Sequence, residues 1–216
     1  MSYSNIVYAN KIPTTDLLKV VEVSDKLGIH PNWLMSVMNF ESGLKPNSVN
    51  PIGSVGLIQF TRDKKGVEYK TINGVRYMLS DLQKMSFSQQ MNVVYEYYKP
   101  FRGKILSFLD LYMVTFFPLA LGKSNDYVLQ TSGLSASLIA KQNPVFDTNK
   151  DSKITKGEVL EFWKKKLGAL APQVINAVPQ EMPIDIKDSL TKVLKWLGVA
   201  LLVFFYTGYT VQTILN

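Results

Sequence analysis

The chain has 216 residues, 46% hydrophobic and 19% charged, which is enough apolar matter for one domain with spare length or two small ones and too much for a disordered chain. It holds no cysteine and one histidine, which excludes thiol nucleophiles, disulfides, thiolate zinc sites and multi-histidine metal centres. Lys and Arg number 24 against 17 Asp and Glu, a net +7 that suits an anionic partner such as nucleic acid, an acidic membrane or a cell-wall polymer. Catalysis must then rest on carboxylates, hydroxyls, lysines or an oxygen-ligated ion, and any Ser-His-Asp triad would have to use His30.

Met1 to Thr15 has no basic start followed by a long apolar run, so no secretory signal peptide is expected there. Thr14-Thr15-Asp16 ahead of Leu17, Leu18, Val20, Val21 and Val23 predicts a capped helix. His30-Pro31 opens a second, with proline at a favoured first-turn position and Gly43 as its stop. Residues 66–79 hold Val67, Tyr69, Ile72, Val75 and Tyr77 around Asn73-Gly74, a short hairpin signal in a polar region. Residues 83–98 and 105–121 read as helices, and 124–140 as a weaker one.

In the second helix Leu34, Val37, Met38 and Glu41 share helical spacing, so Glu41 falls on the apolar face. A carboxyl group desolvated by Trp33, Val37 and Met38 holds its proton towards neutral pH, the requirement for a general acid that protonates a leaving-group oxygen. The alternative is a glutamate at a frayed helix end, turned to water.

Asp147-Thr-Asn-Lys-Asp-Ser-Lys-Ile-Thr-Lys-Gly-Glu158 has the spacing of an EF-hand loop. Asp147, Asn149 and Asp151 would ligate a structural calcium ion by side chain, Lys153 by its carbonyl, Thr155 directly or through water, and Glu158 with both oxygens, while Ile154 fills the usual apolar position. Ser152 stands where glycine would ease the sharp turn, and Lys150, Lys153 and Lys156 dilute the negative charge. The alternative is a polar loop capped by its own Asx turns.

Beyond about Leu170, Pro172, Pro179 and Pro183 interrupt any helix, so residues 171–186 are expected to form a linker. From Trp196 to Asn216 no residue is charged, and as a helix this run would span about 30 Å, the thickness of a bilayer core. Residues 187–216 are therefore expected to be a membrane anchor; a buried or interfacial helix is the alternative, because Thr207, Thr210, Gln212 and Thr213 make its second half only moderately apolar.

The stretch Glu41-Ser42 followed by Gly53, Gly56, Leu57 and Gln59 resembles the signature of the lytic transglycosylases with a lysozyme-like fold (the soluble lytic transglycosylase family). Ile58 replaces the usual Met, and Asn50 and Ser54 replace the common Ser and Ala. The family's third motif, a helix ending Ala-Tyr-Asn-Ala-Gly, meets Phe116-Phe117-Pro118-Leu119-Ala120-Leu121-Gly122, so the Tyr hydroxyl that helps hold the catalytic carboxyl is missing; Tyr112 is a candidate substitute. Tyr97-Tyr-Lys-Pro-Phe-Arg-Gly-Lys104 is similar to a pattern in phage-encoded muralytic proteins. The resemblance covers residues 18–160 and not the tail.

It implies a mainly α, lysozyme-like domain over residues 1–170 that cleaves the bond between N-acetylmuramic acid and N-acetylglucosamine in peptidoglycan. Glu41 would be the single acid and base; Ser42, Gly53, Gly56, Gln59 and Phe117 would bind substrate, with no catalytic cofactor and no nucleic acid partner. A muramidase would need a second carboxylate, for which Asp63, Glu68, Asp81 and Glu96 are available but unmarked. A wall-binding or structural virion protein that has lost catalysis is a further alternative, given the altered third motif. Lys187, Lys192 and Lys195 precede the tail and no charge follows it, which would hold the domain on the cytoplasmic side, away from peptidoglycan. A phage virion with its own membrane, or the host inner membrane during lysis, resolves that conflict, and capsid or spike proteins would then be partners.

Overall fold

The computed structural model describes residues 5–179. The expected anchor, residues 187–216, and the second half of the expected linker lie outside the described residues. Among the described residues no helix is long and apolar enough to cross a membrane.

Helix α1 (Thr14–Leu27) buries Leu17, Val20, Val23 and Leu27, the stripe that its spacing predicts, and stops at Gly28. Helix α2 (Pro31–Ser42) runs through the centre, with every residue from Pro31 to Met38 buried. His30 caps it: its Nδ1 accepts a hydrogen bond from the Asn32 amide at 3.2 Å, which uses one of the donors a helix start leaves free. Gly43 and Leu44 close the other end in the left-handed region, φ +63° and +65°, and Leu44 N–H returns to the Met38 carbonyl.

Strands β1 (Tyr69–Ile72) and β2 (Val75–Met78) form the expected hairpin, with Ile72 opposite Val75 and Asn73-Gly74 both at positive φ in the turn. The single helix predicted over 83–98 is two. Helix α3 (Leu79–Lys84) ends before Ser86, which takes an extended backbone and starts α4 (Phe87–Tyr98) with a capping box completed by Gln89. Helix α5 (Phe108–Phe116) is shorter than 105–121, because Pro118 cannot continue it and forces Phe117 into an extended conformation. Of 124–140 only α6 (Ala136–Gln142) is α-helical, capped by Ser135. Helix α7 (Lys156–Leu167) leaves the 147–158 loop through a Thr155/Glu158 capping box.

The expected linker begins differently from its reading. Ala171–Ile175 forms α8, with Pro172 in the first turn where its missing N–H costs nothing. Val174 is buried, its carbonyl accepts from the Trp33 indole N–H at 2.9 Å, and the Gln173 carbonyl accepts from the Asn32 side chain at 2.9 Å. The folded unit therefore runs past Leu170. Its helical core is continuous, and within it Phe40, Phe108, Tyr112, Phe116, Phe146, Phe162 and Trp163 pack largely edge-to-face, with centroids 4.7–6.1 Å apart.

Candidate active site

Glu41 sits in the last turn of α2, largely withdrawn from water on the apolar side that its spacing predicts. Burial raises its pKa to about 7. Glu22, Asp63, Glu96 and Glu158 go the other way: Lys26 and Lys19 hold Glu22 down, Thr71 holds Asp63 down, Asn73 holds Glu96 down, and hydrogen bonds led by Thr155 outweigh burial at Glu158.

Three tyrosines feel the Glu41 charge. Burial lifts Tyr97 to about 12, and lifts Tyr98 and Tyr112 well above the usual phenol range, with Glu41 adding to the shift in each. Tyr97 donates to the Val114 carbonyl at 3.1 Å, and the Tyr98 hydroxyl lies 2.5 Å from Thr115 Oγ1. Tyr112, the expected substitute for the missing motif tyrosine, is buried between Phe40, Phe116 and Trp163.

The loop after α2 is tied to that helix end. Ser42 Oγ, expected to bind substrate, is buried and lies 2.9 Å from the Met38 carbonyl and 3.1 Å from the Leu57 carbonyl. It positions the loop instead of facing outward. Gly56 takes φ +81°, and a side chain there would strike Gln90 at 2.4–2.7 Å. Gln59 also sits at positive φ, +53°; its Nε2 donates to the Gly56 carbonyl at 2.9 Å, while its Oε1 is buried with no partner among the described residues. Gly53 takes φ +82° beside the Arg62 guanidinium. Phe117, expected to meet substrate, is instead buried in the core at the turn that ends α5.

Gln90 was not singled out by the sequence reading. Fully buried in α4, it accepts from the Leu57 N–H at 2.5 Å and donates to the carbonyls of Pro46 at 2.9 Å and Leu82 at 2.8 Å. A polar residue three after Phe87 and four before Val94, on an apolar stripe, was the available signal. Of the four carboxylates considered as second catalytic groups, Glu68 pairs with Arg62 at 2.7 Å, Asp63 with Lys70 at 3.4 Å and Glu96 with Lys99 at 3.2 Å, while Asp81 is exposed in the first turn of α3.

In the 147–158 loop Lys150 and Ser152 take positive φ, +61° and +64°. Asp147 accepts from the Asp151 and Ser152 amides, and Asn149 Oδ1 from the Asp151 amide. Ile154 is buried and its carbonyl accepts from Leu129 N–H at 2.8 Å. Glu158 spends both oxygens on Thr148, Asn149 and Thr155. The loop thus has EF-hand-like turns, but among the described residues no three carboxyl or imidazole groups gather at metal-binding distance. A resident calcium would have to draw Glu158 away from its cap.

Glu41, its carboxyl near pKa 7, is followed by Ser42, which together with Gln90 ties down the glycine loop. Residues 20–98 match the family model of the transglycosylase SLT domain. That segment contains Glu41, the glycine loop, the hairpin and Gln90, and supports kinship with the lytic transglycosylases. No curated protein and no solved structure matches the chain.

Proposed function

We propose that the protein cleaves peptidoglycan as a lytic transglycosylase, with Glu41 as its only acid and base. The carrying observation is the Glu41 carboxyl, held near pKa 7 by burial. Protonated, Glu41 gives its proton to the glycosidic oxygen between N-acetylmuramic acid and N-acetylglucosamine as that C–O bond breaks. The resulting carboxylate then takes the proton from the C6 hydroxyl of the muramoyl residue, whose oxygen closes on C1 to give a 1,6-anhydro end. No water is consumed, and the residue returns to its protonated form. The unpartnered Gln59 Oε1 would accept from the Glu41 O–H or from a sugar N-acetyl N–H. Hydrolysis would need a second carboxylate opposite Glu41; Asp63, Glu68 and Glu96 are engaged in ion pairs and hydrogen bonds, and Asp81 is exposed in the first turn of α3.

The proposal extends to placement and metal. The uncharged run after Trp196 supports membrane anchoring through residues 187–216, and the Tyr97–Lys104 pattern supports a phage protein that meets the wall from a virion membrane or during lysis. The ligand spacing of the 147–158 loop supports a structural calcium. A melting temperature unmoved by calcium or by a chelator removes that last part.

Mass spectrometry of peptidoglycan incubated with the protein decides the chemistry. Anhydro-muramoyl ends from wild type, and none from Glu41→Gln with wall binding intact, are expected. Reducing muramoyl ends would establish a hydrolase, and binding without cleavage a wall-binding protein.

A further inference from the structure

A cavity of about 760 Å³ lies along α7, bounded by Val145, Thr148, Glu161, Phe162, Lys165 and Lys166. Its wall joins the aromatic cluster that contains Phe40, in the last turn of α2, and Tyr112. Phe162 packs 5.7 Å from Phe40, Lys166 lies 5.6 Å over the Phe40 ring, and Phe40 is the residue before Glu41. Its rim is cationic. Glu161 is neutralised by Lys164 at 2.7 Å, whereas Lys165 and Lys166 make no ion pair among the described residues. Lysines in the last turn of a helix also offset its dipole, but that role needs no apolar hollow beside them. Here exposed Val145 and half-buried Phe162 supply one.

The hollow therefore asks for a ligand with carboxylates and small apolar groups. We infer that this groove holds the acidic peptide stem carried by the muramoyl lactyl group, with Lys165 and Lys166 meeting its carboxylates and Phe162 its aliphatic side chains. The inference rests on the proposed peptidoglycan substrate. A stem extends roughly 3.3 Å per residue, so a pentapeptide reaches about 16 Å from its sugar.

The test compares intact peptidoglycan with glycan strands whose stems an amidase has removed, using the full chain. Lys165→Gln/Lys166→Gln is expected to raise KM for the intact polymer about tenfold with kcat unchanged, and to leave the stripped strands unaffected. Lys84→Gln/Lys104→Gln removes equal charge elsewhere and is expected to change neither. An equal loss on both substrates, the same loss in the control variant, or no loss overturns the inference. Calorimetry of Glu41→Gln with a soluble muramoyl-tripeptide reads the groove without turnover. Binding weakened by the Lys165/Lys166 substitutions supports it; absent binding, or binding indifferent to them, overturns it. If wild type cleaves neither polymer yet binds the peptide through these lysines, the enzymatic reading fails and the groove stands. A photo-reactive residue at position 145 should capture the peptide; capture of residues 187–216 would give the groove to the chain's own tail and overturn the assignment.

Discussion

Glu41 ties two measurements to one group. As general acid it must be protonated, so kcat/KM is expected to hold below about pH 7 and to fall roughly tenfold per pH unit above it, measured as muropeptide release across the pH range. A midpoint at the ordinary carboxylate value would mean that burial does not set the proton. Stability carries the same signature. The folded form binds this proton more tightly than the unfolded form, so its contribution is full below the unfolded pKa and is lost as pH rises towards 7. Glu41→Gln removes that penalty and should leave the variant more stable than wild type by on the order of 2 kcal/mol at pH 8, with little difference near pH 4.5, as read by urea unfolding. The position of this residue was legible, because its spacing from Leu34, Val37 and Met38 sets the helix face. The inward turn of Ser42 and the burial of Phe117 were not legible, because both depend on which carbonyls and rings other elements bring near.

The glycine loop and its support form one element-scale unit. Gln90 answers two carbonyls and one amide from three separate segments, so Gln90→Ala strands buried backbone groups and is expected to cost about 2–4 kcal/mol in chemical denaturation. Gly56→Ala adds a Cβ into that same side chain at positive φ and should cost more than 1 kcal/mol, with cleavage reduced beyond any loss of fold. A variant at either position with wild-type stability would show that the loop is held by other means. A sequence reveals hairpins and caps well, since Asn73-Gly74 and Pro31 act locally. It hides the break at Ser86, whose capping box competes with an otherwise continuous helical pattern, whereas Pro118 is the local signal for the early end of α5.

At the scale of the molecule, α8 closes the fold on α2 through the Trp33 indole and the buried Val174. A chain cut after Leu170 is therefore expected to melt several degrees below one cut after Pro179, since burial of a valine and two long-range hydrogen bonds are each worth about 1–2 kcal/mol. Equal melting temperatures would return the boundary to Leu170. Three prolines between 172 and 183 predict a linker, but proline in a first turn interrupts nothing, and the burial of Val174 depends on what α2 brings to it. The buried course of α2 has an electrical consequence. Its aligned peptide units lie in a medium that screens poorly, and their negative end falls where Glu41 stands; the last turn has no basic residue of its own, and the Lys11 ammonium reaches it only at the Asn39 side chain, 2.9 Å away. After burial, the macrodipole is a second influence that disfavours the carboxylate and favours the proton. A cation installed at Asn39 would offset the dipole and stabilise the carboxylate, lowering the pKa of Glu41 and leaving less of it protonated at neutral pH.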